Sequence, residues 1–328
     1  VLLPIIHPVS EYTTRMYTSN GFQTDSYGAV PEVFLGSLDM SAKGSAPAFL
    51  RGPRRRLNAL PLFIALFGPW ALFCIVFAVM TLSVHYEQPY LTYLIMALGF
   101  FVVVGTGIAA FQAKRRKLAK DLGHEPSWLM FMFLATLLAW SAAFVAGDVN
   151  FYQNMQPYFD LKNLNVYPDV DPAVMRGQMI MDAGRIDFTK NARLDLKRSI
   201  GFKNVDVYCV APVSKAKNAT SKDLETLPNY DFWAVGVNCC SGNEPDFHCG
   251  QFNSAGAHGG LRLTRDDQRP FFRLAVQQAE AAYNIKAVHP LFFLWMKDPN
   301  AETESMWVRG VREYMIGIFT HFTVQLFL

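Results

Sequence analysis

Cys239, Cys240, His248 and Cys249 crowd thiols and an imidazole into one short stretch, the residue types of a zinc site. Structural zinc is held by four N or S ligands, usually in paired Cys-x-x-Cys or His-x-x-x-His spacings. Two adjacent cysteines with a single histidine do not supply that spacing. Together with Cys209 upstream, the four cysteines suit disulfides on an oxidising side of a membrane. Four cysteines permit three pairings, and joining the neighbours Cys239 and Cys240 is sterically poor. That leaves Cys209 with one of them and Cys249 with the other.

Other candidates for chemistry are weaker. Asp169, Asp171 and Asp182 have oxygen ligands for calcium, yet their spacing matches no EF-hand loop and the neighbouring prolines suit turns. His248, His258 and His289 with nearby aspartates form an acid/base site only on paper, because nothing local fixes their geometry. Gly256, Gly259 and Gly260 follow no predicted strand and open no helix, unlike a phosphate loop. The sequence therefore predicts no catalytic residue, no required cofactor and no metal. His321, inside the last apolar run, is the single cofactor candidate, as a ligand to a haem or chlorophyll-type pigment. A satisfied structural histidine is the preferred reading of it.

The elements around these residues explain the preference. Three runs, 60–84, 90–111 and 128–147, contain no Asp, Glu, Lys or Arg. Each reaches the roughly 20 residues a helix needs to cross about 30 Å of hydrocarbon. A fourth apolar run from Tyr314 onward is shorter. The expected fold is an α-helical multi-pass membrane protein with three spans and a fourth begun in the last apolar run, carrying a small disulfide-stapled α+β domain outside the membrane. The expected division is an irregular N-terminal segment 1–58, a three-helix region 59–147, an extramembrane domain 148–308 and the start of a fourth helix, 309–328. The chain opens on Val1, which reads as the product of a removed presequence. Residues 1–50 are rich in Gly, Ser, Pro and Thr with no helical or strand period, so they order only when something else holds them.

Charge sets the expected orientation. Arg54, Arg55 and Arg56, with Arg51, precede the first run, and Lys114, Arg115, Arg116 and Lys117, with Lys120, follow the second. The loop between the first two runs has no Lys or Arg. The positive-inside bias places the N-terminus on the cytoplasmic or stromal side and residues 148–308 on the extracytoplasmic or lumenal side, against the weaker opposing signal of Arg309 and Arg312. All four cysteines of the expected staple fall in that outer block, where Asn218-Ala219-Thr220 is also a glycosylation sequon.

Helix packing is expected along small-residue strips, Gly105 with Ala109 on the second run and Ala135, Ala139 and Ala143 on the third. An ion path normally needs ionisable groups at membrane depth, and these runs have none, which argues against a pump, transporter or voltage sensor. The short basic clusters flank membrane helices and lack interleaved aromatics, so no nucleic-acid partner is expected. In the outer block, 150–171 reads as an irregular strap, 205–210 and 232–237 as strands, 178–188 as a weaker strand, and 270–285 as a helix opened by a Thr264/Asp267 capping box. The run 289–295 reads as an apolar cluster packing on the domain core or the membrane interface.

Four spans, a short first outer loop and a large second one containing Cys239-Cys240 resemble tetraspanins. The family has Cys-Cys-Gly where this chain has Cys239-Cys240-Ser241-Gly242. The outer block is also similar to uncharacterised multi-pass proteins of dinoflagellate algae, a likeness that implies a thylakoid membrane with the outer domain in the lumen. The leading expectation is a non-catalytic structural or accessory subunit of a large membrane complex, in that setting a photosystem or light-harvesting assembly, whose partners are other membrane subunits and the lipid bilayer, with bound pigment or lipid as the accessory molecules. The rivals are a tetraspanin-like cell-surface organiser or receptor, and a membrane-anchored enzyme using the outer domain.

Overall fold

The computed structural model describes residues 59–118, 127–217, 223–242 and 244–327, all within the unit Leu57–Leu328. The predicted segment 1–58 with Arg54, Arg55 and Arg56, the Asn218 sequon and the side chain of Lys117 lie outside the described residues.

The apolar runs fold as helices: α1 (Ala59–Thr81), the short α2 (Ser83–Glu87), α3 (Pro89–Leu118) and α4 (Ser127–Asn150). The last does not stop where the apolar run stops. It continues through a π turn (Phe151–Met155) into α5 (Gln156–Lys162), so the expected irregular strap is helical at its start. Pro157 is tolerated because it stands in the first turn of the new segment, where its missing N–H is not needed. Phe151, Tyr158 and Phe159 then bury one side of the extension, Tyr158 and Phe159 against Trp307.

By length and composition three helices can cross a membrane: Ala59–Thr81, Pro89–Arg116 and Ser127–Lys162. The final helix, α7 (Pro299–Phe327), starts well before the expected residue 309. Pro299 sits at its first position and the Asp298 carboxylate caps it, accepting from the backbone N–H of Asn300 (3.0 Å) and Ala301 (2.9 Å). Its first turns carry Glu302, Glu304, Arg309, Arg312 and Glu313, and the apolar stretch after them is too short to meet the same standard as the other three.

Packing between α1 and α4 runs through Ala139 and Ala143, both fully buried against Phe73, Phe77 and Met80, with Ala135 buried farther along α4. Gly147 extends this seam, since a Cβ there would lie 2.5 Å from Met80 Cβ. On α3 the seam is not where the small-residue strip suggested. Gly105 is exposed and an added Cβ would meet nothing within 4 Å, whereas at Gly107 it would come 2.8 Å from the Phe133 ring. Two residues along an α-helix is a rotation of about 200°, so Met96, Val103, Ala110 and Ala113 face inward and Gly105 faces out. Gly147→Leu should therefore destabilise the bundle by about 1–3 kcal/mol, read as a lower thermal midpoint in detergent, and Gly105→Leu should leave that midpoint unchanged.

The block after α5 folds as β1 (Asn165–Val170), β2 (Ala183–Phe188), β3 (Ala192–Leu194), β4 (Ile200–Asn204), β5 (Asp206–Lys215), β6 (Phe232–Val237), β7 (Gly259–Arg262), α6 (Arg269–Tyr283) and β8 (Leu291–Met296). The strands form one mixed eight-stranded sheet in the order β1-β2-β7-β8-β6-β5-β3, with β4 also on β5. The run 289–295, expected only as an apolar cluster, holds the central strand β8, which pairs with β6 in parallel and with β7 in antiparallel. A continuous apolar run is what a strand covered on both faces requires.

Period-two alternation sorts the side chains into two cores. Tyr208, Val210, Trp233, Val235 and Phe292 point to one face, where α6 covers them with Phe272, Ala275, Val276 and Ala279. Helix α6 has no side-chain cap at Gln268, and Asp267 pairs with Arg265 instead (3.0 Å), so Thr264 and Asp267 do not form the expected box. Pro270 in the first turn opens the helix and Asn284, left-handed at φ 51°, closes it. Cys209, Ala211, Val213, Phe232, Ala234, Phe293 and Trp295 point to the opposite face. The cover there includes the loop after β6, which contributes Phe247, Cys249, Phe252 and Ala257.

Candidate functional site

Two disulfides hold that loop: Cys209–Cys240, 31 residues apart, and Cys239–Cys249, 10 residues apart. Cys209 on β5 stands between Gly201 of β4 and Gly236 of β6. A Cβ at Gly201 would lie 2.7 Å from Cys240 Sγ, and one at Gly236 would lie 2.6 Å from Cys239 Sγ. The glycines make the room into which the sulfurs fit. The sulfurs of Cys209, Cys239 and Cys249 lie within 4.8 Å of one another, close enough to resemble a metal cluster. Metal ligation needs thiolates, and in this state all three sulfurs are in disulfide bonds. The fifth cysteine, Cys74 in α1, is free.

The remaining candidates of the sheet domain are dispersed. His248 Nδ1 lies 2.9 Å from the Asp246 carbonyl, His258 lies 3.4 Å from the Arg193 guanidinium, and the His289 backbone donates to Asp231. Burial first, then the Arg193 charge, holds the His258 imidazole below its ordinary value, so it is neutral at physiological pH. The three aspartates weighed for calcium separate as well. Asp171 pairs with Lys215 (2.6 Å), Asp182 bonds Asn165 and Tyr167, and Asp169 stands beside Asp187. Burial, then repulsion from Asp298 and Asp169, raises the Asp187 carboxyl above the usual range. The loop 256–260 passes its glycines into β7, where Gly259 and Gly260 are strand residues close to Pro299 and Phe293.

A long concave feature lies in the helical bundle. It is a groove of about 1100 Å³ between α4 and α7, with Phe73 and Phe77 of α1 at its back. It exists because α7 leans on α1 and not on α4. A Cβ at Gly317 would lie 2.3 Å from Phe77 Cε1, the His321 ring stacks on Phe73 at 4.2 Å, and Trp70 donates to the Ile318 carbonyl (3.3 Å). Gln325 Nε2 closes the far end on the Ala65 carbonyl (2.9 Å). At the sheet-domain end α7 instead touches α4 and the π turn, where Asn150 Nδ2 donates to the Gly310 carbonyl (2.8 Å) and Gly310 meets Met155. Below that closure the helices part.

Comparison with protein-family models, with curated proteins and with solved structures gives no match to this chain. The reading of the groove therefore rests on its own chemistry. Its walls are apolar over most of their length, including Leu138, Val145, Ile316 and Val324, while Asn150, Asn154, Arg309, Arg312 and Glu313 gather at the sheet-domain end. His321 lines its deep end, with a buried Nδ1 that has no hydrogen-bond partner among the described residues. Sequence reasoning treated Arg309 and Arg312 only as opposing topogenic charges. The signal that would have placed them opposite Asn150 and Asn154 is the continuation of α4 beyond 147.

Proposed function

We propose that this chain is an integral membrane protein that crosses the bilayer four times and serves as a non-catalytic structural or accessory subunit, holding its sheet domain at a fixed attitude to the membrane. The observation that carries the reading is the seat between bundle and domain. Helix α4 runs through the π turn into the domain as α5, and α7 leaves the domain packed on that extension through Trp307, so two helices side by side support it. Tyr86 Oη donates to Asp160 (2.9 Å), Asn150 to Gly310, and Arg185 to Asn300 (3.1 Å) across the joint. A Cβ at Gly184 would lie 2.5 Å from Leu164 Cβ, and one at Gly259 2.5 Å from Pro299 Cδ. A surface carried so rigidly suits docking of fixed partners better than swinging capture of mobile ones.

The bilayer itself is supported by side-chain exposure. Only 22–28% of the most apolar stretch of each of the three membrane-length helices is buried within the chain, leaving Phe63, Leu98, Phe101, Ile108 and Val145 outward. Water-soluble monomers rarely expose contiguous apolar patches beyond a few hundred Å². The fourth crossing is supported by α7 lying antiparallel along α1 from Tyr314 beside Phe77 to Gln325 beside Ala65. The charge bias supports an inward N-terminus and an outward sheet domain, and the disulfides suit an oxidising compartment. A thylakoid photosystem or light-harvesting assembly is the host we propose, on the likeness to dinoflagellate proteins alone.

A mild-detergent extract should carry the protein in a particle well above the 36.9 kDa of the chain with its micelle. Migration as a lone chain would sink the subunit reading. In sealed vesicles of known sidedness, a membrane-impermeant thiol reagent should label Ala281→Cys from the outer side and Lys114→Cys from the inner side.

A further inference from the structure

We infer that the groove between α4 and α7 is a binding site for an anionic phospholipid of the outer leaflet, with its phosphate at Arg309 and Arg312 and an acyl chain lying along α4. The inference rests on the membrane reading above and adds an occupant to it. The groove runs from Arg309 to Gln325, sixteen residues, or about 24 Å at helical rise. One leaflet of a bilayer is about 15 Å of hydrocarbon, so an acyl chain starting at the Arg309 level fits within the apolar length.

Charge selects the occupant. Arg309 pairs with Glu302 at 3.2 Å and Arg312 with Glu313 at 3.2 Å, all four side chains between 41% and 60% exposed. Exposed pairs of this kind are worth little, so the guanidiniums can turn to a phosphate, which they bind in a bidentate, charge-assisted manner. Glu302 does not line the groove, which leaves two cations and one carboxylate at its mouth. Asn154 adds an amide to that mouth, its Nδ2 bonded to Asn150 Oδ1 at 2.9 Å. On the proposed orientation these arginines also stand on the outer side, where the positive-inside bias disfavours them. A headgroup contact gives them a reason to be there.

Below the mouth the wall of α4 is built from small and branched residues, Ala142, Val145 and Ala146, across from Ile316 and Gly317. Among the described residues no hydrogen bond joins these stretches, and their open surface matches a hydrocarbon chain. A free phosphate would satisfy the arginines and leave this length uncovered.

The test uses the full chain in detergent and native mass spectrometry with three added probes: phosphatidylglycerol, phosphatidylcholine and a neutral galactolipid. Phosphatidylglycerol should be retained at least about tenfold better than the galactolipid, and Arg309→Gln with Arg312→Gln should remove that preference, since a bond to a charged group is worth about that factor or more. Ala142→Trp, which fills the apolar length and leaves the arginines in place, should lower retention of all three probes. Inorganic phosphate should not compete. Equal retention of the three lipids, or a preference that survives the arginine change in a variant with an unchanged thermal midpoint, overturns the inference. Resistance of the protein to alkaline extraction from membranes is read in parallel. Loss of lipid selectivity in a protein that resists extraction refutes the lipid site alone, whereas release by alkali refutes the membrane reading beneath it.

Discussion

Asp231→Ala should lower the stability of the sheet domain by about 3–5 kcal/mol, a large part of the 5–15 kcal/mol that holds a typical domain folded. Asp231 precedes β6 and is buried to 4% exposure. Its Oδ2 accepts from the Gly177 backbone N–H (2.9 Å), and its Oδ1 from those of Val288 and His289 (both 3.1 Å). Its own carbonyl accepts from Leu291 N–H at 2.7 Å, fixing the start of β8. The carboxylate thus joins the segment before β2 to the end of the α6 loop, and the carbonyl of the same residue ties in the central strand. Alanine leaves three donors without acceptors, each costing about 1–3 kcal/mol where water does not enter. Gly177 is closed to repair by a larger neighbour, since a Cβ there would meet the His289 carbonyl at 2.3 Å. Asp231→Asn keeps one oxygen and should cost roughly half as much. Denaturant unfolding of the detergent-solubilised chain, followed through the buried Trp233 on the adjacent strand, measures both. A shift below about 1 kcal/mol for the alanine variant would mean that water or a rearranged loop replaces the carboxylate.

The second large effect is expected at the disulfides. Removing Cys209–Cys240 should cost about 3–4 kcal/mol, and removing Cys239–Cys249 about 3, from loop closure across separations of 31 and 10 residues. The physical weight here exceeds chain entropy, because the loop they pin covers the face of the sheet opposite α6. Phe247 and Cys249 lie on Cys209, Phe232, Ala234 and Phe293, and a released loop would open that apolar face to water. Cys239→Ser with Cys249→Ser should therefore both lower the unfolding midpoint and admit protease cleavage between residues 241 and 257. A variant that keeps its midpoint and resists cleavage would show that Phe247 and its neighbours hold the loop without covalent help.

Much of this protein was legible because membrane-length apolar runs are local signals. Three charge-free runs became three helices near their expected bounds, since length and the absence of charge decide them without reference to other segments. The strands 232–237 and 205–210 were legible for the same reason, with β5 extending beyond its apolar alternation to Lys215. Legibility ended where a distant partner decided the outcome. Residues 150–162 carry Pro157 and a run of aromatics that read as the start of a strap, and Trp307 and the π turn make them helical. The run 289–295 needed β6 and β7 on either side to become a strand, β3, β4 and β7 are too short to announce themselves, and β1 lies within the stretch that read as a strap.

The site followed the same division. Cysteine placement alone argued for disulfides and excluded one pairing, but the partner of Cys209 was decided by the sheet register that sets it between Gly201 and Gly236. The groove was invisible along the chain. Asn150 is far in sequence from Arg309 and Arg312, and they meet because α7 packs on α1 through Gly317 and His321 and closes on α4 at Gly310. By itself the sequence determined which segments are apolar enough to cross a membrane, which side the charges favour and where oxidised cysteines belong, since each depends on composition over a short window. The tertiary structure alone decided which faces of those helices touch, which glycines make contact possible and where a cavity is left between them, because helix rotation and strand register are set by packing between residues the chain keeps apart.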